Sequence, residues 1–205
     1  MKLTYAIGVC NEHKELQSLL NFLIKTKEIC DDINVLVDTN KVTDDVRRVL
    51  DKYKKVITIC ERAFCGDFSA HRNFHITKCS GDYIFMIDAD EIPQEHLIKT
   101  VKNYCDTSDL IFVPRINICP GYTEHWIKDY RFTINEVGWI NWPDYQGRVF
   151  KNVPSIRWGK SLHEQVQGAK NPMGIEAKPQ NGLWHVKSIE VQDSARKFYD
   201  SLKKE

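Results

Sequence analysis

Apolar positions along the first half of the chain switch repeatedly between strand-like and helix-like spacing. Leu3 to Cys10 forms one apolar run, and Leu16, Leu19, Leu20, Leu23 and Ile24 then fall on one helical face. A second run, Ile33 to Val37, ends at Asp38, and Thr43 stands where a hydroxyl caps a helix whose stripe is Val46, Val49, Leu50 and Tyr53. The pattern predicts a third strand over Val56 to Cys60, a helix over Phe68 to Lys78 and a fourth strand over Tyr83 to Ile87. Pro93 suits the first turn of a helix carrying Leu97, Val101 and Tyr104, and Leu110 to Val113 predicts a fifth strand. Strands separated by helices at this cadence predict βαβ units, hence an α/β fold with a mostly parallel central sheet flanked by helices. In such sheets ligands bind beyond the carboxyl ends of the strands.

Past residue 115 the periodicity weakens and aromatic residues accumulate. Four of the five tryptophans (126, 139, 142 and 158) lie between residues 120 and 160 with Tyr122, Tyr130 and Tyr145. At least two of these tryptophans are expected in the core, while the segment 122–145 offers aromatic faces for a ligand wall or a lid. Arg148-Val149-Phe150 and Gly182 to Val186 predict short strands, and Ile189 to Leu202 a last helix with Ala195, Phe198, Tyr199 and Leu202 on one face. One domain over residues 1–205 is expected, its halves meeting near residue 115. Lys203-Lys204-Glu205 is compatible with a natural terminus or with a cut through a longer protein.

Composition narrows the function classes. Lysine plus arginine number 29 against 28 acids, a formal net charge of +1, and no basic block tracks a phosphate backbone, so no nucleic-acid partner is expected. Hydrophobic residues make up 42% of the chain, in runs far short of the ~20 residues that span a bilayer. With no secretory leader at Met1 to Tyr5, the expectation is a soluble cytoplasmic protein without a transmembrane segment; Arg196 and Lys197 on the last helix leave peripheral membrane contact open. The seven cysteines are odd in number and form no Cys-X-X-Cys pair, which favours reduced, structural thiols, Cys65 beside Gly66 being the most reactive.

The chemistry concentrates where Tyr83 to Ile87 runs into Asp88-Ala89-Asp90. In an extended chain Asp88 and Asp90 share a face with Cα atoms roughly 6.6 Å apart, and two such charges at a core edge call for a cation or hydrogen-bond donors. Asn11-Glu12 after the first strand and Asp38 after the second fall at the same kind of address. A departing diphosphate needs its negative charge neutralised, which a bound Mg2+ or Mn2+ does as a Lewis acid. Asp90 is the leading metal ligand on this reading, Asp88 an acceptor for ribose hydroxyls, and Asp38 an acceptor for the N–H of a pyrimidine ring. The blander alternatives stay open: Asp38 capping a turn with Thr39 and Asn40, Arg72 pairing with a surface acid, His185 packed as a core histidine. Neither a Gly-X-Gly-X-X-Gly nor a P-loop is present, which disfavours nicotinamide and ATP sites.

The ordered series Asn11-Glu12, Asp38, Ala70-His71-Arg72-Asn73, Gly81 to Glu91, Gln146 to Asn152, Trp158 to Glu164 and His185 resembles the family 2 glycosyltransferases with the GT-A fold, over nearly the whole chain. The resemblance implies a nucleotide-diphospho-sugar transferase, Rossmann-like in its sheet, that moves a sugar from a nucleoside diphosphate donor (a UDP-sugar foremost) to a saccharide or glycan hydroxyl with inversion. It implies a nucleotide-binding half in residues 1–115 and an acceptor side in 116–205. It places Asn11, Glu12, Asp38, Arg72 and Asp88 at the donor nucleotide and Asp90 with His185 on Mn2+ or Mg2+, imidazole suiting Mn2+ better. Glu164 falls near the catalytic base, although many relatives read Glu-Asp where this chain has His163-Glu164-Gln165; Asp144 is the second candidate, and His163 would orient Glu164 or touch the diphosphate. A silent sugar-nucleotide or glycan binding module is the alternative class. A phosphatase of the haloacid dehalogenase kind ranks low, since Glu91-Ile92-Pro93 follows the second aspartate instead of Gly-Thr.

Overall fold

A computed structural model describes residues 1–202. The first half alternates as expected through β1 (Leu3–Val9), α1 (His13–Thr26), β2 (Asp32–Asp38), α2 (Asp44–Tyr53), β3 (Thr58–Arg62), α3 (Phe68–Ile76) and β4 (Tyr83–Asp88). It continues with β5 (Glu91–Pro93), α4 (Glu95–Thr100), α5 (Lys102–Cys105), β6 (Leu110–Ile118), α6 (Glu124–Tyr130) and β7 (Ile140–Lys151). Then come β8 (Arg157–Gly159), β9 (Gln165–Gln167), β10 (Pro172–Gly174), a short 3-10 turn, β11 (Leu183–Val186) and α7 (Ile189–Leu202). Lys203 to Glu205, on which the question of the chain's end turned, lie outside the described residues.

Hydrogen-bonded neighbours run β3-β2-β1-β4-β7-β6-β11-β5, with β10 also on β6. The pairings β2–β3, β1–β2, β1–β4, β6–β10 and β6–β11 are parallel, whereas β7 lies antiparallel between β4 and β6 and β5 antiparallel on β11. The α/β fold is therefore the expected one, with a mixed sheet. Among the described strands of this sheet, β7 and β5 alone run against the rest. Gly8 stands beside Asp88 and Val9 beside Val37, so β1, β2 and β4 finish together at one rim. That flush rim is what brings side chains distant in sequence to one place.

Helices α1, α2 and α4 cover one face of the sheet, where Leu16, Leu20 and Leu23 meet Tyr5, Ile7 and Phe85 in the main core. The other face buries Ala6, Ile84, Met86 and Phe150 against Ile76 of α3 and Trp158 of β8. Thr43 caps α2, its hydroxyl accepting the Val46 N–H, and Asp67 caps α3 by accepting the Ala70 N–H at 2.9 Å. Trp126 and Trp158 are buried, as expected of two of the four tryptophans. All seven cysteines are free thiols. Among the described residues no helix is long and apolar enough to cross a membrane.

Departures from the sequence pattern each have a definite cause. Pro93 does not open a helix; it ends the edge strand β5 opposite Leu183, a place where a missing N–H is tolerated. The helix expected after it is broken into α4 and α5. Val56 is not in β3, because its N–H and that of Ile57 bond to the Tyr53 carbonyl and close α2. Arg148-Val149-Phe150 is the end of a 12-residue strand. Gly81 fits under β1 so closely that a Cβ would stand 2.5 Å from the Thr4 nitrogen and 2.8 Å from the Leu3 carbonyl carbon, both backbone atoms. Gly81→Ala is accordingly expected to destabilise the fold by about 1–3 kcal/mol, as overpacking does, measurable by urea unfolding.

Candidate functional site

Two cavities meet at the rim. The first, of about 250 Å³, lies over the ends of β1, β2 and β4 and is lined by Glu12, Asp38, Arg72, Asp88, Asp90 and Lys187, among others. The second, of about 560 Å³, extends over β7 and the β8–β9 hairpin and is lined by Arg72, Asp88, Arg115, Arg148, His163 and Glu164, among others. Arg72, Asp88 and Tyr199 belong to both. Tyr199 reaches there from α7, where its ring stacks on Phe68 at 5.4 Å and on His163 at 5.9 Å.

Each expected residue of the first cavity is held by a distinct contact. Asp38 Oδ1 accepts the backbone N–H of Asn40 and of Phe64, both at 3.0 Å, so this carboxylate caps its turn and lines the cavity at once. Glu12 Oε2 accepts the N–H groups of Cys10 and Asn11 at 3.0 Å, fixing the exit of β1. Asn11 is exposed and is not among the residues lining the cavity. Asp88 and Asp90 do not share one extended strand, since β4 ends at Asp88 and Asp90 lies in the following turn. They also take different partners.

Asp88 sits between two arginines: Arg72 Nη2 donates to Oδ1 at 3.0 Å and Arg148 Nη2 to Oδ2 at 2.7 Å. Burial would raise its carboxyl, but Arg148 and then Arg72 hold it well below the usual carboxylate range. Arg72 Nε donates in turn to Glu164 Oε1 at 2.8 Å, and its guanidinium lies over the Trp158 ring. Among the described residues Arg72 thus pairs with two site acids and with no surface acid. On the other side Arg148 Nη2 donates to Glu91 Oε1 at 2.6 Å, Arg115 Nη1 donates to the same oxygen at 3.2 Å, and Arg115 Nη2 reaches Asp144 Oδ2 at 2.7 Å. The two candidate bases, Glu164 and Asp144, are therefore the ends of one chain of alternating charges, Glu164–Arg72–Asp88–Arg148–Glu91–Arg115–Asp144. Glu91, fully buried, also accepts the Asp88 N–H at 3.1 Å and so fixes the turn that presents Asp90.

Asp144 lies apart from Glu164, on a third cavity of about 210 Å³ shared with Arg115, Asn117, His185 and Lys187. Burial raises its carboxyl, but Arg115 and hydrogen bonds from Asn117 and Gln146 bring it below the ordinary value, leaving it a weak base. His163 does not bond to Glu164 in this arrangement; its ring faces Tyr199.

His185 meets Asp90 across the partition between the cavities, Nε2 standing 3.6 Å from Oδ2. Its tautomer follows from its neighbours. Asn117 Nδ2 donates to the Asp144 carboxylate at 2.9 Å, which turns Asn117 Oδ1 toward His185 Nδ1 at 2.8 Å. An oxygen there requires Nδ1 to carry a proton, so in the neutral ring Nε2 presents a lone pair toward Asp90, and in the imidazolium Nε2–H donates to it. A lone pair and a carboxylate facing each other at this distance are groups that would hold a divalent cation. The donor set fits a divalent ion. Lys187 Nζ also lies 2.9 Å from Asp90 Oδ2, and burial notwithstanding, the hydrogen bond given by a protonated His185 and the Lys187 ammonium hold the Asp90 carboxyl strongly depressed.

A second acidic group, Glu28, Cys30 and Asp31, lies before β2, at the opposite end of the sheet from the cavities. Lys102 neutralises it, with Nζ 2.7 Å from Glu28 Oε2 and 2.8 Å from Asp31 Oδ1. It has no part in the site.

Sequence reasoning missed Glu91, Arg115, Arg148, Lys187 and Tyr199 as site residues. For Arg148 a signal existed: an arginine heading the apolar run Val149-Phe150 has to meet an acid once that strand is central. The others carry no local mark.

Residues 5–163 match the sequence profile of "Glycosyl transferase family 2". No curated protein matches the sequence. Among solved structures, S. aureus TarS residues 1–349 in complex with UDP superposes with a TM-score of 0.65 at 15% identity, covering 98% of this chain and 65% of that one. The complex of the same TarS fragment with UDP-GlcNAc gives 0.63 at 14% identity, covering 91% and 59%. A longer S. aureus TarS structure gives 0.66 at 16% identity, covering 97% of this chain and 39% of the other. This chain thus spans about three-fifths of the TarS 1–349 fragment, and at these identities the likeness is one of fold. With the profile matched over most of its length and the mixed α/β sheet of the GT-A kind beneath it, the chain belongs to glycosyltransferase family 2.

Proposed function

We propose that the chain is a metal-dependent inverting glycosyltransferase that moves a sugar from a nucleoside diphosphate donor, a UDP-sugar, to a hydroxyl of a saccharide or glycan. One observation carries this reading: the acid-lined rim cavity and the larger basic and aromatic cavity join at Arg72 and Asp88, so a donor and an acceptor can meet there. The fold shared with TarS, seen with UDP and UDP-GlcNAc, supports a uridine donor. Residues 1–115 supply most of the nucleotide side and 116–205 most of the acceptor side, with Lys187 and Tyr199 reaching back across the junction.

Asp38 keeps Oδ2 uncommitted for a ring N–H, Glu12 shapes the rim beside it, and Asp88 faces the ribose. Mn2+ or Mg2+ held by Asp90 and His185 would supply Lewis-acid charge to the leaving diphosphate. Glu164, at the far side of Arg72, is the base: the acceptor hydroxyl gives its proton to Glu164 as its oxygen bonds the anomeric carbon. The bond from that carbon to the phosphate oxygen breaks in the same step, and the diphosphate keeps the electron pair. Arg72 orients the Glu164 carboxylate and ties it to Asp88, linking the donor side to the base.

Glu164→Gln is expected to lower kcat by about 10²–10⁴-fold, the usual contribution of a general base, without changing the donor-induced thermal shift. Asp144→Asn should cost far less. A screen of nucleotide sugars by thermal unfolding, with and without Mn2+, tests the reading as a whole: a donor at ~100 times its Kd adds about 2.7 kcal/mol. No metal-dependent shift with any donor would sink it, and a shift without turnover would favour a binding module.

A further inference from the structure

We infer that Lys187 is a second cation of the site, seated on Asp90 until a divalent ion takes that carboxylate and then passing to the donor diphosphate; this rests on the metal-dependent reading above. Lys187 follows β11 directly, and its backbone N–H is fixed to the Ile118 carbonyl at 3.0 Å, so only the side chain is free to move. Its ammonium lies 2.9 Å from Asp90 Oδ2, the oxygen that also faces His185 Nε2. A divalent ion and an ammonium on one carboxylate oxygen repel each other strongly. The flexible lysine stem lets the ammonium leave.

The surroundings limit where it can go. Asp88 is already bonded to Arg72 and Arg148, and Asp144 to Arg115, Asn117 and Gln146. Glu91 is fully buried under Arg148 and Arg115. The rim cavity, which Lys187 lines beside Asp88, Asp90 and Arg72, is where a nucleotide diphosphate would lie. Its phosphate oxygens offer a displaced ammonium anionic acceptors in that cavity, where Asp38 and Glu12 already hold backbone N–H groups. The consequence is a competition that changes sign with the donor: Lys187 weakens metal binding to the free protein and strengthens binding of nucleotide to the metal-loaded protein.

Calorimetric titration of the whole chain with Mn2+, with and without UDP, tests this. Thermal unfolding of Lys187→Met and Lys187→Gln first identifies a folded variant. Without UDP that variant is expected to bind Mn2+ about tenfold tighter than the wild type, and with Mn2+ saturating it should bind UDP about tenfold more weakly. Lys187→Arg should restore UDP binding in part. Mn2+ affinity that is unchanged or weaker without UDP overturns the competition, and unchanged UDP affinity overturns the transfer to the diphosphate. A wild-type chain that binds no Mn2+ even with UDP overturns the metal-dependent reading itself.

Discussion

Asp90→Asn is expected to reduce sugar transfer by about a thousandfold or more and to erase the Mn2+-dependent part of donor stabilisation, while the protein stays folded. The substitution keeps shape and removes charge, leaving His185 Nε2 as the one strong ligand of the pair. A Lewis acid at a leaving phosphate is worth several kcal/mol, and a loss of ~4 kcal/mol is about a thousandfold in rate. The fold is spared because Asp90 lies in a turn whose geometry is set by the Glu91 side chain on the Asp88 N–H. Single-turnover transfer and thermal unfolding with donor, each with and without Mn2+, measure the two effects. A variant whose donor shift still depends on Mn2+ would remove Asp90 from the metal site.

The largest effect on stability is expected at Arg148. Its side chain is 4% exposed and one nitrogen, Nη2, serves both Asp88 and Glu91. Arg148→Met leaves those two carboxylates facing each other in the interior with Arg72 and Arg115 as their remaining partners. Breaking a buried pair by removing one side costs about 3–5 kcal/mol, because the charges left behind stay desolvated. For a chain of this size each kcal/mol is worth roughly 2–4 °C, so a fall in Tm on the order of 10 °C is predicted. Glu91→Gln with Arg148→Met should recover part of that loss, since it removes one of the stranded charges; an additive double mutant would show that the two side chains do not act as a unit.

Much of this protein could be read from order alone. The alternation of apolar runs predicted β1 to β4 with their helices, Thr43 announced its cap, and the acids after β2 and β4 pointed to the rim. The boundaries failed for two reasons: Val56 is claimed locally by the end of α2, and Pro93 sits on an edge strand whose partner, β11, lies some ninety residues further along. Arg72 could be assigned no single partner from sequence, because it takes two, from α3's opposite neighbours β4 and the loop before β9. Lys187 and Tyr199 gave no sign, because nothing within their own segments says that β11 and α7 return to the rim.

By itself the sequence determined the α/β class, the family and the identity of the acids at the strand ends, since these follow from local spacing and from an ordered series of short motifs. Tertiary structure alone decided that β7 enters the sheet reversed and that an alternating run of acids and arginines joins Glu164 to Asp144. It also decided which nitrogen of His185 faces Asp90. Those outcomes depend on contacts between residues tens of positions apart, whose strength comes from burial, and burial exists only once the sheet has closed over them.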